Sequence, residues 1–414
     1  MKKITSVLLV FVMMLSMATF SVSALTEGDW EYKILDNEIH ITRYLGKDTN
    51  VVVPDTIRGC PVVSIAVNKA DYTRHIKTLI LPDTLKELGV GAFYGSSSLE
   101  TVRIPNDVKI GREAFANCKS LKSIDLSNVL ILETGAFSDC ENLENVILSE
   151  NLQEIPMNAF RNTKLSHIDI PRSVKKIGQG AFHNTALESV IIPGTVEIIG
   201  QGAFSTCQKL KSVVISYGTK VLDYDRYSDL NGAFGTFSYC PLLEEIYIPD
   251  TVTKLIDTFV IPKYSPNAIV FCGENSHAAE ICKKKEISYI TDNSVNTKIN
   301  VMYNGKRVSF HKYGQNPEII DGRTLVPLRA IFEALGASVE WDENTQTVTA
   351  NRDDTEISLQ IGSNKMYVNG QEKLLDVPAR IINSRTLVPV RAISEAFGCN
   401  VGWNENTQTV TITQ

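Results

Sequence analysis

Apolar and polar residues alternate in short runs that recur along much of the chain, each of the form Leu-x-x-apolar-x-apolar-Pro. Four copies occupy residues 99–105, 165–171, 187–193 and 243–249. A period of two predicts a β-strand that sends its apolar side chains inward and its polar side chains outward. Proline cannot donate a backbone hydrogen bond, so it predicts where each strand ends.

An Ala-Phe pair recurs between these runs, usually with a small polar residue or a cysteine three positions after the phenylalanine. The gaps between successive phenylalanines are 22, 22, 23, 22, 22 and 30 residues. The seven residues are Phe93, Phe115, Phe137, Phe160, Phe182, Phe204 and Phe234. This period predicts a solenoid whose phenylalanines stack into a buried spine. A glycine that follows an isoleucine in several copies, such as Gly178, is expected to allow a tight bend before the phenylalanine.

These repeats resemble the BspA-like leucine-rich repeat family of surface proteins. The resemblance extends from about residue 51 to residue 290, with an entry segment at 59–65 and a short helical cap at 272–280. It implies a mainly β solenoid with a parallel β ladder, and it implies adhesion to host or matrix proteins. The segment 217–232, rich in tyrosine and aspartate, departs from the repeat.

One position in the middle of each predicted strand points to the concave face of the solenoid. Successive strands place Arg103, Asp125, Ile147, Asp169, Ile191, Val214 and Tyr247 there. An exposed column with several apolar members is typical of a protein-binding patch. We therefore expect Ile147, Asp169, Ile191, Val214 and Tyr247 to contact a partner. The alternative is that β-branched residues are present only because they suit strands.

A second repeat, with an offset of 62 residues, begins after the polar stretch 291–297. The sequence Arg-Thr-Leu-Val-Pro occurs at 323–327 and again at 385–389, and each copy precedes a helix-like pattern that ends at Gly336 or Gly398. A Trp-containing strand and a polar turn follow in both copies. The pattern predicts two units of strand, helix and hairpin, which form a small α+β domain.

Residues 298–414 resemble the N-terminal domain of copper amine oxidases, also called a stalk domain. The chain's six histidines are scattered singly, without the spacing of metal ligands, so we expect no metal, no cofactor and no copper chemistry. No serine elbow, phosphate-binding loop or carboxylate pair stands out, so an enzyme is the least expected class.

Two residue types recur in both copies and leave alternatives open. Arg329 and Arg391 each precede a glutamate by four residues, which favours a helical ion pair over a grip on an anionic wall polymer. Trp341 and Trp403 are expected in the core, although a tryptophan can also stack on a sugar.

The N-terminus has the pattern of a secretory signal. Lys2 and Lys3 precede a largely apolar run, and small residues follow at 22–24, which predicts a mature chain that begins at Leu25. Losing both lysines changes the formal charge from −6 to −8, which disfavours nucleic acid as a partner. No other segment is apolar enough to predict a membrane span.

Eight cysteines lie in the predicted mature chain. Four of them, Cys118, Cys140, Cys207 and Cys240, follow a phenylalanine by three residues, in a place that other repeats fill with serine or threonine. This place favours a small buried hydrogen-bond donor over a disulfide. Cys272 and Cys282 are better placed to pair, and Cys60 and Cys399 are expected to be unpaired.

Together these patterns predict a signal peptide at 1–24, a solenoid at 25–290, a linker at 291–297 and a stalk domain at 298–414. The expected role is noncatalytic binding of an extracellular protein or a cell-envelope polymer by a protein that is secreted or noncovalently attached to the surface. One alternative is a structural envelope component with no specific ligand. A metal-dependent extracellular enzyme is a more distant alternative.

Overall fold

A computed structural model describes residues 24–66, 73–224, 235–255 and 265–414. Residues 1–23 of the predicted signal peptide and Phe234 lie outside these residues, as does half of the 217–232 segment, residues 225–232. Within the described ranges, no helix is both long enough and apolar enough to cross a membrane.

The described chain begins with antiparallel strands at one end of a solenoid: β1 (Leu25–Glu27), β2 (Trp30–Leu35) and β3 (Glu38–Tyr44). β3 pairs in parallel with β6 (Cys60–Ile65), and β5 (Thr56–Ile57) is antiparallel to β6. From there each turn adds short strands to two parallel ladders, which confirms the predicted mainly β solenoid.

The first ladder carries the predicted column. Its strands are β4 (Asn50–Val52), β7 (Thr78–Ile80), β9 (Thr101–Arg103), β11 (Ser123–Asp125), β13 (Asn145–Ile147), β16 (Ser189–Ile192), β18 (Ser212–Ile215), β20 (Glu245–Ile248), β22 (Ile269–Cys272) and β23 (Tyr289–Thr291).

The second ladder continues from β6. Its further strands are β8 (Glu87–Leu88), β10 (Lys109–Ile110), β12 (Ile131–Leu132), β14 (Glu154–Ile155), β15 (Lys176–Ile177), β17 (Ile198–Gly200), β19 (Val221–Tyr224) and β21 (Lys254–Leu255). Helix α1 (His277–Lys284) lies at the far end, and the Ser276 side chain accepts a hydrogen bond from the Ala279 N–H at its start.

The phenylalanine spine forms as predicted over most of its length. Six consecutive ring pairs stack with centroids 5.2–5.9 Å apart and with planes within 16° of parallel. At the last step Phe204 stacks on Phe237, which the predicted spine did not include, and the predicted Phe234 lies outside the described residues.

The turn before Phe182 uses glycine at two backbone positions for different reasons. Gly178 was expected to allow the bend, but its φ is not positive; a Cβ there would lie 2.5 Å from the backbone nitrogen of Met157 in the preceding turn. The left-handed conformation belongs instead to Gly180, at φ +60°. Gly178 therefore permits close stacking of neighbouring turns, and Gly180 makes the bend.

The cysteine slot behaves as the sequence predicts. Each of the four buried thiols donates to the backbone carbonyl of the phenylalanine in the preceding turn, as Cys140 does to Phe115 at 3.1 Å. The pairing expected between Cys272 and Cys282 was wrong, because both are free and buried. Burial raises the pKa of the Cys272 thiol, which hydrogen-bonds with Ser276.

The C-terminal domain contains the two predicted units of strand, helix and hairpin. The first comprises β27 (Arg323–Pro327), α2 (Leu328–Ala334), β28 (Ser338–Asp342) and β29 (Thr347–Arg352). The second comprises β34 (Arg385–Pro389), α3 (Val390–Ala396), β35 (Asn400–Asn404) and β36 (Thr409–Thr413). The remaining strands are β24 (Asn300–Tyr303), β25 (Lys306–Arg307), β26 (Glu318–Ile320), β30 (Thr355–Gln360), β31 (Lys365–Val368), β32 (Gln371–Leu374) and β33 (Arg380–Ile382).

Antiparallel pairing of β27 with β34 joins the two units and sets Val326 opposite its repeat equivalent Val388. Both valines and the inward faces of both helices are buried in one core. Gly336 and Gly398 have φ values of +75° and +76°, as expected for glycines that end helices. The small α+β domain predicted from the sequence is therefore confirmed.

Candidate functional site

The predicted column is present in paired segments of the first ladder, which are interrupted at Asp169 because residues 165–171 form no strand. Asp125 lies opposite Ile147 between neighbouring strands. Further along, Val214 lies between Ile191 on one side and Tyr247 on the other. The period-two pattern therefore predicted correctly which side chains share this side of the solenoid.

The C-terminal half of the column is not exposed, contrary to the expectation for Val214 and Tyr247. These two residues are only 2% and 5% exposed, and they form a small apolar cluster with Val295 and Met302. Ile191 is partly buried against the same cluster. The sequence pattern shows which side of a strand a residue occupies, but it does not show that the chain's own C-terminal domain covers it.

A buried arginine lies at the centre of this contact between domains. The guanidinium of Arg307 is 5.2 Å from the centre of the Tyr247 ring, and its Nη1 is 3.7 Å from a carboxylate oxygen of Asp292. Nη1 also donates to the Ser294 hydroxyl, and Nε donates to Asn300. Burial lowers the pKa of Arg307 and raises that of the Tyr247 hydroxyl. The charge is thus removed from water but compensated by a carboxylate, an aromatic face and hydrogen bonds.

The segment 291–297, which we expected to be a linker, contributes to this contact. Asp292 precedes a short 3₁₀ segment, Asn293–Asn296, in which Ser294 and Val295 are buried. The Asn296 side chain accepts a hydrogen bond from the Asp250 backbone at 2.8 Å. This stretch packs tightly between the solenoid and the C-terminal domain.

A polar edge completes the contact around Asp169. The Asn404 amide donates to the Asp169 carboxylate at 3.0 Å, and Arg172 pairs with Glu405 at 3.1 Å. His167 lies 3.5 Å from Asp169; their hydrogen bond lowers the pKa of the aspartate and raises that of the histidine. Asp169 remains largely exposed and marks the boundary between the covered and open parts of the column.

The N-terminal half of the column remains open. Val52, Ile80 and Ile147 are 63%, 41% and 58% exposed, and Arg103 and Asp125 lie between them. We call these five residues the open face. Sequence reasoning identified Ile147 but missed Val52 and Ile80, whose turns lack the leading leucine of the repeat.

The twin arginines and tryptophans also differ from expectation. Among the described residues, neither Arg329 nor Arg391 forms the predicted ion pair; Glu333 pairs instead with Lys312. Trp341 was expected in the core but is 43% exposed. Trp403 is partly buried, and its indole N–H donates to Glu405 at 2.7 Å.

Buried Arg307 was missed because a Lys-Arg pair in a polar context favours a surface position. Within the described ranges, no group of three or more histidine, cysteine or acidic side chains could hold a metal ion. Two of the histidines there contact serine hydroxyls at 2.7 Å, His40 with Ser64 and His183 with Ser205.

Two family models match the chain. The BspA type leucine-rich repeat region matches in six copies at residues 63–185, 108–233 and 175–260. The copper amine oxidase N-terminal domain matches residues 302–412. Neither of these regions is a catalytic domain.

Sequence and structure comparisons give more distant relatives. A protein described as a protease inhibitor of Brevibacillus choshinensis is 29% identical over 86 residues, which are 21% of this chain and 26% of that one. This chain therefore spans about a quarter of that relative's length.

Three solved structures are similar over about two thirds of this chain. A leucine-rich cell surface protein of Faecalibacterium prausnitzii is 23% identical, covering 66% of this chain and 99% of that one, with a TM-score of 0.35. The pneumococcal vaccine antigen PcpA is 14% identical over the same shares, with a TM-score of 0.38. A leucine-rich repeat protein of T. pallidum is 23% identical, again at 66% and 99%, with a TM-score of 0.29.

The repeats and the C-terminal units described above correspond to the two matched families. The chain carries a BspA type leucine-rich repeat region at residues 63–260, followed by a copper amine oxidase N-terminal domain at residues 302–412.

Proposed function

We propose that this chain is a noncatalytic binding protein of the cell surface that recognises an extracellular protein through the open face. The observation that carries this proposal is the exposure of Val52, Ile80 and Ile147 along one line of the first ladder. Exposed apolar residues flanked by charges of both signs, here Arg103 and Asp125, are typical of protein-binding patches. Asp169 lies at the border of this patch and contributes a charge to its rim.

The other half of the predicted patch has a different role in this proposal. The C-terminal domain packs against the solenoid through Ile191, Val214 and Tyr247. These residues therefore affect partner binding only indirectly, because they fix the two domains together. The C-terminal domain serves as the stalk or attachment module. The signal sequence predicted at 1–24 supports secretion of the mature chain.

Binding of the mature chain to a panel of immobilised extracellular matrix proteins tests the open face. We expect Ile147→Asp to weaken binding to the recognised protein by about tenfold or more, because it places a charge in the apolar patch. Leu374→Asp is the matched control, since Leu374 is an exposed apolar residue of the C-terminal domain. Equal binding by both variants would leave the open face without a role and would favour a purely structural envelope component.

Fractionation of producing cells tests attachment separately. We expect a chain that ends at Asn296 to move from the envelope into the medium, whereas Ile147→Asp stays with the wild-type distribution. Retention of the shortened chain in the envelope would contradict attachment by the C-terminal domain.

A further inference from the structure

The C-terminal domain contains two cavities that are related by its internal repeat. The first, of about 630 Å³, is lined by Arg329 and Trp341 from one unit and by Ile381, Arg385 and Thr386 from the other. The second, of about 450 Å³, has the equivalent residues, each shifted by 62 positions: Arg391, Trp403, Ile319, Arg323 and Thr324. We call them the open pocket and the closed pocket.

The closed pocket is neutralised by the chain itself. Arg323 forms an ion pair with Asp376 at 2.7 Å. The Trp403 indole N–H is bound to Glu405, which also pairs with Arg172 of the solenoid. Asp376 and Glu405 thus supply two carboxylates to this pocket, and both Arg323 and the Trp403 indole have partners. Arg391 has no ion pair among the described residues, so the two pockets differ at the arginine of the Arg-Thr-Leu-Val-Pro sequence and at the tryptophan.

The open pocket lacks these internal partners. The position equivalent to Asp376 is Gly314, and a Cβ placed there would lie 4.0 Å from Nη2 of Arg385. Arg385 donates through Nε to the Tyr313 carbonyl at 2.7 Å, but within the described chain it has no carboxylate within ion-pair distance, and neither has Arg329. Three cations, Lys312, Arg329 and Arg385, line this pocket with one carboxylate, Glu333, which is held by Lys312.

An apolar surface lies beside these charges. Trp341 and Ile381 are both exposed at the rim, and the Trp341 indole N–H has no hydrogen-bond partner among the described residues. A guanidinium binds a carboxylate through paired hydrogen bonds. The negative face of an indole attracts the C–H bonds of a saturated ring. A sugar ring that carries a carboxylate satisfies both parts of the pocket.

We propose that the open pocket binds an acidic sugar unit of an anionic polysaccharide, with Arg385 and Arg329 on its carboxylate and Trp341 on its ring. This inference rests on the proposed role of the C-terminal domain in attachment, and it names the class of polymer that would be held. It is independent of the open face on the solenoid, which lies in the other domain.

Titration of the full mature chain with digalacturonate by calorimetry tests the proposal. We expect one site per chain with a Kd on the order of 0.1–1 mM. Arg385→Ala and Trp341→Ala should each weaken binding by about tenfold, because each removes one of the two contacts. Arg323→Ala, in the closed pocket, is the matched control and should leave the Kd within about twofold of wild type. Ile147→Asp should also leave it unchanged, so that failure here and failure of the open face are distinguishable.

A single substitution should convert the open pocket into a closed one. Gly314→Asp places a carboxylate beside Arg385, where Asp376 stands in the twin, and should abolish binding. Gly314→Asn carries the same backbone strain at φ +68° without the charge, so it should retain binding. Thermal unfolding of both variants shows whether they fold. If they do not fold, the Kd of Arg385→Ala for digalacturonate tests the role of Arg385 instead.

Several results would each overturn the proposal. They are absence of digalacturonate binding at about 10 mM, equal affinity for neutral digalactose, equal affinity for inorganic phosphate, or an unchanged Kd in Arg385→Ala. Tighter binding of the acidic dipeptide Glu-Phe would also overturn it in favour of a peptide site.

Discussion

The guanidinium of Arg307 lies 5.2 Å from the centre of the Tyr247 ring, on the boundary between the C-terminal domain and the solenoid. Tyr247 belongs to the column that the repeat pattern predicts to be exposed, whereas the sequence patterns made no prediction for Arg307 in β25. Both are buried because they face each other. The contact explains why one half of the column is closed while the other half remains open.

Removing the Arg307 charge should destabilise the protein strongly. In Arg307→Met, the buried carboxylate of Asp292 keeps no cation, and loss of one partner from a buried pair costs about 3–5 kcal/mol. The measurement is urea unfolding at neutral pH. Arg323→Met is the control, because its ion pair with Asp376 is exposed and should contribute less than about 1 kcal/mol. Equal losses in the two variants would show that the domain contact does not depend on Arg307.

The phenylalanine spine should account for a large part of solenoid stability. Phe160→Ala deletes a fully buried ring stacked on both sides, and such a change costs about 3–5 kcal/mol. Tyr94→Ala, at a largely exposed ring, should cost less than about 1 kcal/mol. The urea concentrations at the unfolding midpoints of the two variants give the comparison. A small loss of stability in Phe160→Ala would contradict the claim that the stacked rings stabilise the solenoid.

The cysteine slot should require a hydrogen-bond donor. The Cys140 thiol donates to the Phe115 carbonyl, and threonine fills the same slot in two other turns. Threonine and valine have nearly the same shape, so Cys140→Val should be less stable than Cys140→Thr by about 1–2 kcal/mol. The difference in thermal unfolding between Cys140→Thr and Cys140→Val measures the contribution of the hydrogen-bond donor. If valine were tolerated as well as threonine, packing alone would define the slot.

The His167–Asp169 pair should give a limited pH dependence. Their hydrogen bond raises the pKa of His167, so this contribution is present at low pH and is lost as pH rises through the raised pKa. It lowers the pKa of Asp169, so that contribution is lost as pH falls through the lowered pKa. The pair should therefore stabilise most between roughly pH 4 and pH 6.5.

Because both side chains are largely exposed, the stabilisation should stay below about 1 kcal/mol. The difference in unfolding free energy between wild type and His167→Gln, measured from pH 4 to pH 9, should be greatest near the acid end and vanish at the alkaline end. If the difference in unfolding free energy grew as pH rose, the predicted direction of the pH dependence would be wrong.

Much of this architecture could be predicted because it repeats. The spacing of phenylalanines predicted the spine from Phe93 to Phe204, and the period of two predicted that Ile191, Val214 and Tyr247 face the same way. One copy of a pattern can be misleading, but several copies in phase constrain one another. The spacing did not predict Phe237 as the next ring, because the 30-residue gap after Phe204 breaks the regular period of the Ala-Phe pairs.

Contacts between the domains could not be predicted in the same way. Nothing near Arg307 or in the polar segment 291–297 shows that these residues meet Tyr247, since the contact joins parts of the chain that share no pattern. The difference between the open pocket and the closed pocket could not be predicted from the sequence either. Gly314 and Asp376 occupy equivalent places, but the importance of that exchange appears only when Arg385 and Arg323 are seen beside them.

Labelling at two positions of the column tests the division between open and covered halves most directly. The rates at which maleimide modifies Ile147→Cys and Val214→Cys are measured in a Cys60→Ser background, because Cys60 is a half-buried free thiol. Both rates are measured with and without the protein that the binding panel identifies. We predict fast labelling at position 147 that slows when the protein is bound, and slow labelling at position 214 in both conditions. Equal rates at the two positions, or no protection of position 147 by the bound protein, would contradict the account.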